Sequence, residues 1–196
     1  MSKKEQIVVV VSAPSGAGKT TIINGMLEKM PMVTRSISCT TREPRDGEKE
    51  GLDYIFLKEE EFEKIIKDDG FLEWEQNFGY YYGTRIQQVE EALEEGKDVI
   101  LNIDVKGAKR VKRKLPESIS VFIMAPSLEE LANRLKARKR EDGEEVKKRI
   151  KEAEKEIAAG EEYDYMIINQ DLDTAVKELC EIIILEKASR AKRGGK

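Results

Sequence analysis

Residues 12–20 read Ser12-Ala13-Pro14-Ser15-Gly16-Ala17-Gly18-Lys19-Thr20, a glycine-bearing turn between a valine-rich run and an amphipathic one. The chemistry such a turn can do is anion binding. Glycines let the backbone curl so that successive N–H groups converge on phosphate oxygens. The helix that follows adds the partial positive charge of its N-terminus. In such a loop Lys19 reaches the β- and γ-phosphates of a nucleoside triphosphate, and the Thr20 hydroxyl meets Mg²⁺. The strict pattern has Gly first, where this chain has Ala13. The plain alternative is a strand-to-helix turn in which Lys-Thr falls by chance. The loop points to a triphosphate and leaves the reaction open.

A second group of residues could hold another phosphate. Arg42 and Arg45 stand three apart around Pro44, a stiff positive fork. Guanidinium groups contact phosphate in planar, bidentate fashion, although paired surface arginines would read the same way. Tyrosine hydroxyls, such as those in 80–82 and at Tyr54, donate to phosphate without adding charge. A carboxylate can accept from both N1–H and the exocyclic amine of guanine. The chain has no histidine, so catalysis rests on Lys, Arg, Asp, Glu and backbone groups.

Taken together, the order and spacing of these segments resemble the guanylate kinase family over residues 6–186. The shared motifs are the loop at 12–20, Thr40-Thr41-Arg42 with Pro44-Arg45, Gly51 with Asp53-Tyr54, Phe71-Leu72-Glu73-Trp74, and Tyr81-Tyr82-Gly83-Thr84. Further along come Ile103-Asp104-Val105-Lys106-Gly107-Ala108, Pro126-Ser127-Leu128-Glu129-Glu130-Leu131, and Tyr163-Asp164-Tyr165 followed by Asn169. The resemblance implies that ATP is held by Ala13, Pro14, Ser15, Gly16, Ala17, Gly18, Lys19, Thr20, Thr21 and Asn169. It implies that Arg42, Arg45, Tyr54 and Tyr82 hold the phosphate of GMP, while Ser38, Glu73, Thr84 and Asp104 surround its base and ribose. Adenine offers a bare N1 and no C2 amine, so a buried Glu73 would reject AMP.

Phosphoryl transfer asks a protein mainly to align two nucleotides and neutralise charge on the moving group. The resemblance assigns that catalytic task to Lys19 and Arg42, with Arg134, Arg138 and Arg149 from a helical lid at 128–159. A solvated charged helix is the alternative for that stretch. Lys139 stands where the family has a hinge-like glycine, Ala137 where glycine is common, and Asn102 where an acid is usual. Mg²⁺ is then expected chiefly on Thr20 and the ATP phosphates.

The elements that must position these residues follow from periodicity. Buried-type strands are expected at 7–11, 98–103, 120–124 and 165–168, with helices at 20–30 and 86–95. Alternation of short apolar runs with helices predicts an α/β fold, a parallel sheet covered on both faces, with ligands at the C-terminal strand ends. By the resemblance this is a three-layer phosphate-loop kinase fold. The expected single domain, 6–186, has a core at 6–33, 85–127 and 160–186, an inserted, partly β acceptor subdomain at 34–84, and the lid. A basic tail at 187–196 is expected to fray. Trp74, Tyr80 and Tyr81 are expected to pack rather than bind.

Net charge is -4, from 35 basic and 39 acidic residues, which gives no overall field for nucleic acid or an anionic membrane. Cys39 and Cys180 match no metal or redox spacing and read as free thiols. The apolar runs are strand length, and the start lacks a signal-peptide core, so a cytoplasmic location is expected. Partners are then ATP and GMP, with monomer and homodimer both open. Competing readings are a guanylate-kinase-like module that binds without catalysing, a redesigned chain that turns over poorly, and a kinase with another nucleoside monophosphate acceptor.

Overall fold

The computed structural model describes residues 6–77, 79–138 and 143–194. The central sheet has five parallel strands, in the order β2 (Val33–Arg35), β7 (Asp98–Asn102), β1 (Val8–Ser12), β8 (Ile119–Met124) and β9 (Tyr165–Ile168). Every residue of β1 is buried, as expected of a parallel strand with both faces covered. Alternate residues feed two cores. Val9 and Val11 pack with Ile22, Ile23 and Met26 of α1 (Lys19–Lys29) and with Val176, Leu179 and Ile183 of α7 (Leu172–Gly194). Val8 and Val10 face Val89 of α3 (Ile86–Glu94) and Val111 of α4 (Val105–Lys114). The expected three-layer α/β architecture is present.

β2 crosses the boundary placed at residue 34, pairing Thr34 and Arg35 with β7 before the chain leaves the central sheet. The insertion then forms a four-stranded sheet in the order β4 (Ile55–Phe56), β3 (Cys39–Thr40), β6 (Tyr80–Arg85) and β5 (Phe71–Asn77). Its core is small: Cys39, Phe62 of α2 (Glu59–Lys67) and Phe71. Phe62 stacks on Phe71 at 4.3 Å and on Tyr81 at 5.2 Å. Tyr81 thus packs as expected, whereas Tyr80 does not: it is 42% exposed at the hairpin tip. Trp74 is half-buried rather than enclosed, with the Arg110 guanidinium 6.0 Å above its ring.

α5 (Leu128–Arg138) and α6 (Gly143–Gly160) span the expected lid region. The C-terminal tail differs from expectation. α7 runs to Gly194 without a break, because its basic side chains find partners: Lys187 donates to buried Asp98 at 2.7 Å, and Arg190 donates to the Glu117 carbonyl. Asp98 also accepts the Ile7 N–H at 3.0 Å, tying the start of the sheet to the end of the chain. Among the described residues, no helix is long and apolar enough to cross a membrane.

Candidate active site

Because the five central strands run parallel, their C-terminal ends share one rim. β1 delivers the loop at 13–18, β7 delivers Asn102 to Asp104, and β9 delivers Asn169. Gly16 and Gly18 adopt φ values of 90° and 96°, the left-handed region that side chains resist. Gly18 caps α1, and a Cβ there would fall on the Asn169 amide. Asn169, itself buried, donates from Nδ2 to the Ala17 carbonyl at 2.7 Å. The loop is thereby clamped across 152 residues of sequence. Ala13, Pro14 and Ala17 are buried, whereas Ser15, Thr20 and Thr21 are exposed.

Lys19 lies between this loop and a second pocket. Its Nζ donates to the Ile103 carbonyl at 2.8 Å. Burial of the ammonium outweighs the nearby carboxylates of Asp104 and Glu156 and lowers its pKa to about 8. Glu156 arrives from α6 and shifts the opposite way, its carboxyl raised by burial and by Asp104.

Ile103 also lines a cavity of about 170 Å³ shared by Ser38, Tyr54, Glu73, Tyr82, Asn102 and Asp104. This cavity gathers most of the residues expected at the acceptor. Glu73 and Thr84 are opposed in the β5–β6 ladder, and the Thr84 hydroxyl donates to Glu73 Oε1 at 2.7 Å. Glu73 is only 8% exposed. Burial pushes its carboxyl above the usual range, Thr84 opposing and Asp104 adding to the shift. Gly107 makes room for it, since a Cβ there would stand 3.0 Å from Glu73 Oε2. Asp104, exposed, caps α4 by accepting the Gly107 N–H at 2.7 Å.

The expected phosphate group adjoins this cavity through Tyr54 and Tyr82, which line it, whereas Arg42 and Arg45 are not among its lining residues. The Tyr54 and Tyr82 rings meet edge-on at 6.1 Å, and the Arg42 guanidinium lies 5.5 Å over Tyr54. Arg42 is half-buried, bonded to both oxygens of Glu48 at 2.9 and 3.0 Å and to the Glu43 carbonyl at 2.6 Å. Arg45 is exposed, and its backbone N–H also donates to Glu48 at 2.9 Å. Glu48 therefore organises the fork, a role with no sequence signal beyond its place after Arg45.

From the lid region, Arg134 of α5 donates to Glu130 at 2.8 Å and to the Asn169 carbonyl at 3.1 Å. Leu131 and Leu135 of the same helix are buried, and a Cβ on Gly16 would meet Leu135 at 3.0 Å. α5 is thus seated directly on the loop. Arg149 lies half-buried on α6. Arg138 ends α5, Ala137 is exposed on it, and Lys139 lies outside the described residues. Sequence reasoning missed Glu75 and Asn77, which also line the Glu73 cavity. Their signal was the alternation of β5, which puts Glu73, Glu75 and Asn77 on one face.

The comparisons with known proteins agree with this fold. A family model described as Guanylate kinase matches residues 5–186. A guanylate kinase from Caldanaerobacter subterraneus subsp. tengcongensis is 49% identical over 94% of this chain and 90% of its own. Another, from Rubrobacter xylanophilus, is 47% identical over 90% of this chain and 92% of its own. The crystal structure of guanylate kinase from Anaplasma phagocytophilum superposes with a TM-score of 0.75 at 32% identity, covering 94% of this chain and 87% of that one. The chain belongs to the guanylate kinase family.

Proposed function

We propose that this protein is an ATP:GMP phosphotransferase, moving the γ-phosphoryl group of ATP to GMP to give ADP and GDP in purine nucleotide metabolism. One observation carries the reading: Lys19, at the end of the phosphate loop, is bonded to Ile103, which is itself a wall of the Glu73 cavity. A triphosphate gripped by the loop and a monophosphate in the cavity would then meet across Lys19. Its ammonium would spread over the moving phosphoryl group, the electrostatic and positioning work that this reaction needs.

In the acceptor cavity, Glu73 accepts from N1–H and the C2 amine of guanine, with Thr84, Ser38 and Asp104 around the base and ribose. Arg42, Arg45, Tyr54 and Tyr82 take the phosphate. Arg42 must exchange Glu48 for phosphate, an exchange of one oxyanion fork for another. The loop residues 13–21 and Asn169 hold ATP. Arg134, Arg138 and Arg149 bring charge to the transferring group as the lid region closes and excludes water.

The exposed Thr20 hydroxyl at the head of α1 fits a Mg²⁺ ion bound mostly through ATP phosphates. Such an ion supplies charge neutralisation at the β- and γ-phosphates. Asn102, at the cavity wall, leaves that ion one acid fewer to draw on. The free thiols of Cys39 and Cys180 support a reducing, cytoplasmic setting. The division proposed is a core, an acceptor subdomain that begins where the chain leaves β2 and runs to 84, a lid at 128–159 and a C-terminal extension.

The test is an acceptor panel. With Mg·ATP, the protein should form ADP rapidly with GMP and far more slowly with AMP, UMP or CMP, and Lys19→Met should abolish turnover. Tight GMP binding without turnover would instead mark a binding module.

A further inference from the structure

Glu75 lines the acceptor cavity and carries a buried carboxylate oxygen without a hydrogen-bond partner among the described residues. It is two residues beyond Glu73 on the same face of β5 and opposite Tyr82 in the ladder. Its Oε1 accepts Lys106 at 2.7 Å, and its side chain is 17% exposed. Its Oε2 is closed off from solvent with no hydrogen-bond partner among the described residues. A buried, unpaired carboxylate oxygen is costly. A site that keeps one beside a ligand cavity has a donor to gain when the ligand arrives.

Counting hydrogens names the donor. The guanine edge presents three N–H hydrogens, one on N1 and two on the C2 amine. Glu73 can answer N1–H and one amine hydrogen with its two oxygens, of which Oε1 also takes the Thr84 hydroxyl. The second amine hydrogen needs another acceptor. Asp104 commits Oδ1 to capping α4 and keeps Oδ2 on an exposed side chain, whereas the spare oxygen of Glu75 is closed off from solvent and loses more by staying unpaired. Glu75 has an oxygen with no commitment on the same strand face.

We infer that Glu75 is a specificity-determining residue whose carboxylate, steadied by Lys106, turns to accept the second hydrogen of the guanine C2 amine. This rests on the acceptor reading above. Lys106 sets the angle of the carboxylate from the first turn of α4, the turn that also carries Gly107 against Glu73. Two carboxylates would then read one amine from two sides, and inosine monophosphate, which keeps N1–H and lacks the amine, would forfeit the Glu75 contact.

The experiment compares GMP, dGMP and IMP as acceptors for the full chain, wild type, Glu75→Ala and Glu75→Gln, with Mg·ATP saturating. A hydrogen bond to a charged group is worth roughly a tenfold change or more. Glu75→Ala should therefore lower kcat/KM for GMP and dGMP alike by about tenfold or more, leave IMP nearly unchanged, and shrink the GMP-to-IMP preference by that factor. Glu75→Gln, which retains an acceptor oxygen, should recover part of the preference. Equal losses with GMP and IMP, or no loss with either, would overturn the assignment, as would a loss confined to GMP against dGMP, which would place Glu75 on the ribose. Wild-type failure to use GMP would instead defeat the acceptor reading itself, so the two failures are separable.

Discussion

Asn169 and Ala17 are joined by a 2.7 Å hydrogen bond that ties the loop after β9 to the loop after β1. The bond holds the left-handed backbone at Gly18, with the amide packed where a side chain on Gly18 would be. Asn169→Ala leaves the Ala17 carbonyl buried without its donor, a loss of about 1–3 kcal/mol. The expected outcome is a lower unfolding midpoint in urea and a raised KM for ATP, with KM for GMP little changed. Gly18→Ala should be more damaging, since it adds a steric conflict to a backbone conformation that alanine resists.

Lys19 should give ATP binding a pH dependence. Its pKa in the empty protein is about 8, below the ordinary 10.5, with burial as the first cause. Triphosphate binding favours the ammonium, so ATP affinity should weaken as pH climbs past that value, and binding there should take up a proton. Calorimetry in buffers of different ionisation enthalpy measures that uptake, and Lys19→Met should remove it. The same shift has the opposite sign for stability. A lysine whose folded pKa lies below its unfolded one disfavours the fold while charged, so its contribution improves as pH rises from about 8 toward 10.5.

Glu73 titrates in the other direction. Burial raises its carboxyl above the usual range, so the neutral form persists to higher pH than in an exposed glutamate. Binding of guanine favours the carboxylate, so GMP affinity should rise with pH through that raised value and flatten above it. Folding shows the matching sign. A carboxyl raised by burial disfavours the fold once ionised, and this contribution is at its best at low pH. Titration of GMP at several pH values, against Glu73→Gln as a control without the transition, checks the account.

Gly107 leaves the space that the Glu73 carboxylate occupies. A Cβ at 107 would press on Glu73 Oε2 at 3.0 Å and on Asp104 Oδ1 at 3.3 Å. Gly107→Ala should raise KM for GMP several-fold while sparing KM for ATP. Loss of both together would show a broader disruption of α4.

Arg42 should separate from Arg45. Arg42 is half-buried and aligned by Glu48 and Tyr54, whereas Arg45 is exposed. Arg42→Ala is therefore expected to cost GMP binding about tenfold or more, and Arg45→Ala less, with salt weakening the second effect preferentially. Steady-state KM for GMP at low and high ionic strength provides the comparison.

Much of this site was legible because its chemistry is local in sequence. The loop at 12–20 needs glycine, lysine and threonine in fixed order, and the strand and helix beside it are read from adjacent residues. Glu73 and Thr84 were legible only through the family resemblance, since their contact is made by strand pairing. Glu48 and the Ile103 carbonyl were not legible, and Glu75 only through the strand alternation that puts it on the face of Glu73. Each acts through a partner brought near by the tertiary fold, and a backbone carbonyl leaves no trace in side-chain type. The continuation of α7 was hidden for the same reason: its basic end looked unpartnered until Asp98 and the Glu117 carbonyl were placed beside it.

The preference of the enzyme for GMP over AMP, taken as the ratio of kcat/KM values in wild type and in Glu73→Gln, tests the central claim most directly. A strong wild-type preference that collapses in Glu73→Gln, through loss of GMP turnover with AMP unchanged, is the predicted result. A preference that survives the substitution would contradict the account, because guanine would then be read somewhere other than this buried carboxylate.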